Sequence, residues 1–158
     1  MANILPVVLL VDKVRSLHNI GSLFRTAEGA NIEEIILSEF SAIPPRPEIE
    51  KTALGATSSV RWQQVKSLKD YALKLKEQGY TLCALEQTDH STNLFTTETK
   101  FPLALIIGHE REGVDPELLA LCDLHIELPM DGTVVHSLNV SNATAITLYE
   151  LRRRFCYS

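Results

Sequence analysis

Two short apolar runs constrain this chain more than anything else in it. Residues 7–11, Val-Val-Leu-Leu-Val, and residues 103–107, Leu-Ala-Leu-Ile-Ile, contain no polar position. A strand with one wet face alternates apolar and polar side chains; a strand with none is covered on both sides, as in a parallel sheet held between helices. Each run also falls far short of the roughly 20 apolar residues that span a bilayer. No apolar run in the sequence approaches that length, so no membrane span is expected.

The segments around these runs alternate in kind. Leu23, Phe24, Ala27 and Ala30 recur at helical spacing, predicting a helix that starts near Gly21 and ends by Gly29. Residues 35–37 read as a second strand. Pro44, Pro45 and Pro47 forbid a regular element and mark an exposed loop. Residues 60–65 read as a strand, 68–78 as an amphipathic helix stopped by Gly79, and 81–85 as another strand. The polar stretch 87–102 reads as a loop of unusual length. Asp115 caps a short helix through Leu121, with Pro116 at its first position. A last strand at 124–128 leads, after Pro129 and a glycine-containing loop, to a helix over 138–154 whose basic end suits a helix C-terminus. Strands alternating with helices predict an α/β fold with a mostly parallel sheet flanked by helices. With 158 residues and no repeat, linker or low-complexity tract, a single domain over 1–158 is expected.

Composition removes several functional classes. The Met-Ala-Asn start has no basic region followed by an apolar one, so the reading is a cytoplasmic protein. Cys83, Cys122 and Cys156 lack C-x-x-C spacing and lie among apolar neighbours as reduced core thiols do, so neither a disulfide framework nor a zinc site is expected. His18, His90, His109, His125 and His136 lack the spacing of a helical metal pair, and no metal is expected. The formal charge of −5 argues against indiscriminate nucleic-acid binding, because phosphates are held by clustered Lys and Arg. A local patch remains open: Arg152, Arg153 and Arg154 sit together, and Arg15, Arg25, Arg46, Lys51 and Arg61 punctuate the first half.

In an open α/β sheet, ligands bind beyond the carboxyl ends of the strands. Three loops there stand out. The first contains His18-Asn19-Ile-Gly21 and leads to Arg25 and Glu28; the second is Gly108-His-Glu-Arg-Glu-Gly113; the third runs from Pro129-Met-Asp-Gly132 through Ser137-Leu-Asn139-Val-Ser141-Asn142. In the second, the glycines let backbone approach a flat ligand while Glu110 orients a polar group, although a tight strand-to-helix turn uses the same glycines. It is no phosphate-cradling loop, since neither G-x-x-x-x-G-K-[ST] nor G-x-G-x-x-G occurs. In the third, Ser137 suits the cap of a helix from Leu138, yet a cap leaves Asn139 and Asn142 unaccounted for. Buried amides and hydroxyls of this kind hold a ligand or an opposing backbone. A serine hydrolase with Ser137 as nucleophile and His136 or His109 as base is the rival, but no G-x-S-x-G elbow is present.

Together the three loops resemble the three motifs of the SpoU/TrmH ribose methyltransferases of the SPOUT superfamily, with tRNA-modifying members the most similar. Asn19-x-Gly21-x-x-x-Arg25-x-Ala27 resembles the first motif and Ile107-Gly108-x-Glu110-x-x-Gly113 the second. Leu128-Pro129-Met130-x-Gly132 with Ser137-Leu-Asn-Val-Ser141 resembles the third. They occur in the family's order and span nearly the whole chain. Lys51-Thr-x-x-Gly55-Ala is similar to a segment of tRNA-directed members.

The resemblance implies a SPOUT-type fold whose C-terminal portion forms a trefoil knot, and transfer of a methyl group from S-adenosyl-L-methionine to a ribose 2′-hydroxyl of RNA, with S-adenosylhomocysteine as product. It implies cofactor contacts at Leu85, Glu86, Gly108, Leu128, Met130, Ser137 and Leu138, and a reaction centre of Asn19, Arg25, Glu110, Ser137 and Asn139. For Glu110 a structural alternative stays open, acceptance of backbone N–H bonds in the knot. The implied partners are RNA, tRNA foremost, and a second copy in a homodimer, whose apolar face would include Ile146, Tyr149 and Phe155. The D-loop guanosine is the first candidate target; the anticodon wobble nucleotide and rRNA are alternatives, as are a catalytically silent RNA-binding relative and a small-molecule binding module.

Overall fold

The computed structural model describes residues 3–157. Seven strands form one sheet: β1 (Leu5–Asp12), β2 (Ile32–Ser38), β3 (Trp62–Val65), β4 (Thr81–Leu85), β5 (Thr92–Asn93), β6 (Leu103–Gly108) and β7 (Leu124–Glu127). Their order is β3-β2-β1-β6-β4-β7-β5, and every pairing is parallel. The two apolar runs lie side by side at its centre, Val7 opposite Leu103 and Val11 opposite Ile107. Alternate residues of β1 serve two separate cores. Leu9 and Val11 pack with α1 (Leu17–Ala30), α2 (Pro47–Ala53) and α5 (Val140–Tyr157), while Val8 and Leu10 pack with α3 (Leu68–Glu77) and α4 (Pro116–Leu121). That two-sided burial is why the runs hold no polar residue.

Several expected boundaries move, each for a local reason. Helix α1 starts at Leu17 rather than near Gly21, because Ser16 Oγ accepts the Asn19 N–H at 3.1 Å and caps it. It ends beyond Gly29, at Ala30, with Asn31 in the left-handed conformation. The expected exposed loop after Pro44 gives way at Pro47 to α2, since proline is well tolerated at a helix's first position. Strand β3 begins at Trp62, not at residue 60, and α5 begins at Val140 rather than Leu138 and continues past Arg154 to Tyr157. The polar stretch 87–102 is not structureless. It holds the two-residue edge strand β5 and a 3₁₀ turn at Leu94–Thr96.

Cys83 is buried and its thiol is pushed up to about 12 by desolvation, as is that of Cys122. Both are packing groups rather than nucleophiles. Among the described residues no helix is long and apolar enough to cross a membrane, and no group of three His, Cys, Asp or Glu side chains is placed to hold a metal ion.

Candidate functional site

Strands β6, β4 and β7 are neighbours, and a cavity of about 460 Å³ opens at their carboxyl ends. Leu85, Gly108 and Glu127 bring the strand ends to it; the 109–113 turn and the segment from Leu128 into α5 complete it. All seven residues expected to hold a cofactor line this space: Leu85, Glu86, Gly108, Leu128, Met130, Ser137 and Leu138. Glu110 and Asn139 line it as well. The walls are apolar where Leu85, Leu128 and Leu138 face it, and the three carboxylates Glu86, Glu110 and Glu127 outnumber the one cation, Arg111.

The 109–113 turn is built by its own side chains. His109 Nδ1 accepts the Arg111 and Glu112 N–H groups, each at 3.1 Å, and the His109 carbonyl accepts the Gly113 N–H at 2.9 Å. Gly113 has φ +72°. A Cβ on Gly108 would sit 2.4 Å from both the Gly113 carbonyl carbon and the Val114 nitrogen. The space beside Gly108 is therefore filled by the returning turn, and the tight-turn reading of this glycine is the correct one.

The structural role held open for Glu110 falls to another carboxylate. Glu86, not Glu110, accepts backbone N–H bonds, from Val114 at 2.8 Å and Gln87 at 3.2 Å. Glu110 Oε1 accepts from the side-chain amide of Asn19 at 3.1 Å. Asn19, on α1, is only 5% exposed. Its Oδ1 lies 3.4 Å from Ser141 Oγ, and Ser141 Oγ donates to Asn139 Oδ1 at 2.6 Å. Glu110, Asn19, Ser141 and Asn139 thus form one polar chain that joins all three loops, although they are up to 122 positions apart in sequence.

Asn139 also accepts the Ser141 N–H at 2.9 Å and so caps α5, the role expected of Ser137. Ser137 and Asn139 are exposed rather than buried. Among the described residues no hydrogen bond joins Ser137 to His136 or His109, and His109 Nδ1 is already occupied, so the hydrolase arrangement is not formed. Arg25 is exposed on α1 and neither lines the cavity nor joins the polar chain, whereas Ser137 lines the cavity without joining the chain and Asn19 joins the chain without lining the cavity. Gly21 is a packing residue: a Cβ there would meet Thr52 Oγ1 and the Ile49 carbonyl of α2.

The expected arginine cluster at the C-terminus is largely committed elsewhere. Arg154 donates to the Leu94 and Thr97 carbonyls and to Glu150, Arg153 pairs with Glu150 at 2.8 Å, and Arg152 donates to the Asn3 carbonyl. Arg15, Arg25, Arg46 and Lys51 are exposed on the α1 and α2 side of the sheet. Sequence reasoning missed Gln87, whose Nε2 donates to the His136 carbonyl at 2.7 Å across the cavity, and the latch role of His109. The signal for Gln87 was its place two residues beyond the end of β4.

A parallel α/β sheet with a cleft at its carboxyl edge, closed by two polar loops and a capped helix, places this chain in the class of α/β proteins that hold a small ligand at their strand ends. Comparison narrows this. The profile of the SpoU rRNA Methylase family matches residues 6–149, and the chain belongs to that family. It is 33% identical over 147 residues to the tRNA (guanosine(18)-2′-O)-methyltransferase of Escherichia coli strain K12, covering 91% of this chain and 62% of that one. Among solved structures, the A. aeolicus TrmH/SpoU tRNA modifying enzyme superposes with TM-score 0.84 at 27% identity, covering 95% of this chain and 75% of that one. The SpoU methyltransferase AviRb from Streptomyces viridochromogenes, in complex with the cofactor AdoMet, superposes with TM-score 0.86 at 26% identity, covering 99% and 63%. The chain spans about three fifths of the length of the curated relatives it matches.

Proposed function

We propose that this chain transfers a methyl group from S-adenosylmethionine to a ribose 2′-hydroxyl of RNA, with tRNA as substrate and the D-loop guanosine as first candidate target. The observation that carries this reading is the hydrogen-bonded chain Glu110–Asn19–Ser141–Asn139, which gathers the three motifs at the mouth of the cavity. The Escherichia coli relative supports the choice of nucleotide. On this reading the protein works in the cytoplasm, where tRNA is found.

The residues present fit the cofactor. Leu85, Leu128 and Leu138 offer apolar wall to its adenosine, and the carboxylate-rich lining favours a positively charged sulfonium. Glu86 holds the turn that shapes the floor; Gly108, Met130 and Ser137 complete the lining. When bound, the cofactor supplies an electrophilic methyl carbon on a good leaving group. What remains for the chain is to position the ribose and to manage its hydroxyl proton and developing charge.

Ser137 and Asn139 present hydroxyl and amide groups to the cavity, and the buried Asn19, its amide engaged by Glu110 and Ser141, ties Glu110 to Asn139 through the polar chain. The role assigned to the Arg25 guanidinium is to anchor a phosphate and stabilise the forming alkoxide. Because Arg25 lies outside the cavity of its own chain, the reading includes a homodimer in which this arginine completes the partner's pocket. Ile146, Tyr149 and Phe155, 41%, 52% and 40% exposed on α5, offer apolar surface to such an interface, with Phe155 also meeting Phe101 of its own chain edge-on at 5.2 Å.

The test is methylation of total RNA with methyl-labelled cofactor, followed by nucleoside mapping. Label on 2′-O-methylguanosine from the tRNA D-loop is expected. Label on another ribose would move the target, and label confined to bases would overturn the reaction.

A further inference from the structure

The polar stretch after β4 is tied down by a hydrogen-bonded relay that the reaction centre does not use. Ser91 Oγ donates to the Glu86 carbonyl and accepts the Thr88 N–H at 2.7 Å. Thr88 Oγ1 lies 3.0 Å from both Ser91 Oγ and His125 Nδ1, and accepts the His90 N–H at 3.2 Å. On its other side the His125 ring reaches the Leu119 carbonyl of α4 through Nε2, at 3.0 Å. A carbonyl only accepts, so Nε2 carries the proton; in the neutral ring Nδ1 is then the acceptor and the Thr88 hydroxyl donates to it. Thr88, Ser91 and His125 are all partly buried.

The relay encloses the cavity wall. Glu86 and Gln87 line the cavity, and Gln87 stands between two anchored points, the Glu86 carbonyl and Thr88. From that position the Gln87 amide crosses to the His136 carbonyl of the third loop. We propose that Thr88, working with Ser91 and His125, is a positioning residue for the cofactor: it holds Glu86 and Gln87 in the shape that receives S-adenosylmethionine, without touching it. This inference rests on the cofactor reading above. Without the Thr88 hydroxyl, His125 Nδ1 and the His90 N–H each lose a partner and the 86–91 segment is free to rearrange, so binding must first restore its shape.

The experiment is titration calorimetry of S-adenosylhomocysteine into wild-type protein, Thr88→Val, Thr88→Ser and Ser91→Ala, with thermal melting of each ligand-free protein and steady-state kinetics on tRNA. Valine keeps the shape and deletes the hydroxyl; serine keeps the hydroxyl. Thr88→Val and Ser91→Ala should weaken binding about five- to tenfold, the loss expected for one or two part-buried hydrogen bonds. Thr88→Ser should bind close to wild type. In kinetics the cofactor KM should rise in Thr88→Val while kcat at saturating cofactor and the KM for tRNA hold. Equal affinity of Thr88→Val and wild type overturns the proposal, and so does a parallel loss of cofactor and tRNA affinity with a lowered melting temperature, which would mark Thr88 as a folding residue. Wild-type protein that fails to bind would remove the cofactor reading itself, and this inference with it.

Discussion

At Gly108 a single methyl group decides whether the 109–113 turn can close. The atoms that a Cβ would meet are all backbone, the Gly113 carbonyl and the Val114 nitrogen, so no side chain can swing away to make room. Gly108→Ala should therefore cost about 1–3 kcal/mol of stability, the range for overpacking a filled space, and weaken cofactor binding with it. Gly132→Ala is the matched control. Nothing lies within 4 Å of its Cβ position, so its stability should stay within about 0.5 kcal/mol of wild type in denaturant unfolding. Equal stability of the two variants would contradict the close approach. Asn139 gives a second test, since its Oδ1 both caps α5 and ends the polar chain. Asn139→Ala should lose about 1 kcal/mol through the cap and most of the methyl transfer, whereas Asn139→Asp, which keeps the acceptor, should recover the stability but not the activity. Activity retained in both would limit Asn139 to capping.

Helix α5 is where residue types most clearly do work that their composition did not announce. Arg154 is drawn inward to the Leu94 and Thr97 carbonyls, and Glu150 accepts from Arg153 and Arg154 at 2.8–3.0 Å. Those guanidinium contacts, Arg153 first, hold the Glu150 carboxyl at about 2, below its ordinary 4.5. A carboxylate whose pKa is lowered by folding stabilises the fold above its ordinary value and loses that contribution as pH falls toward the folded value. The stability difference between wild type and Glu150→Gln should accordingly be full at pH 6 and shrink between about 4.5 and 2. A difference independent of pH would contradict the pairing. The same helix shows what the sequence could and could not disclose. The central strands were legible because residues with two buried faces leave an unmistakable run, and α3 because its apolar stripe and flanking glycine agree. Helix α2 was hidden because Pro47, read as a breaker, is its first residue, and β5 because two polar residues carry no pattern. The start of α5 was misplaced since both Ser137 and Asn139 are good caps, and only the three-dimensional path selects Asn139.

Across the whole molecule, the cavity is a product of strand order. Bringing β6, β4 and β7 together sets three strand ends from distant parts of the chain around one space, and the seven residues that the family resemblance assigned to a cofactor all reach it. Local pattern carried no such information; the order of three motifs did. Arg25 lies exposed outside the cavity, and the proposed homodimer assigns it to the partner's pocket. Mixing Arg25→Ala and Ser137→Ala proteins under subunit exchange should then restore about a quarter of the wild-type sites, since half the dimers are mixed and each holds one intact pocket. No recovery would place Arg25 and Ser137 in the same pocket of one chain.

The acceptor in the proposed reaction is a ribose 2′-hydroxyl, and a single atom tests it. Two tRNA transcripts are compared, identical except that one carries a 2′-deoxynucleotide at the position found by nucleoside mapping. Methyl transfer to the all-ribose transcript and none to the deoxy transcript is the predicted result. Equal incorporation into both would contradict the account, because the methyl group would then be landing on some other atom.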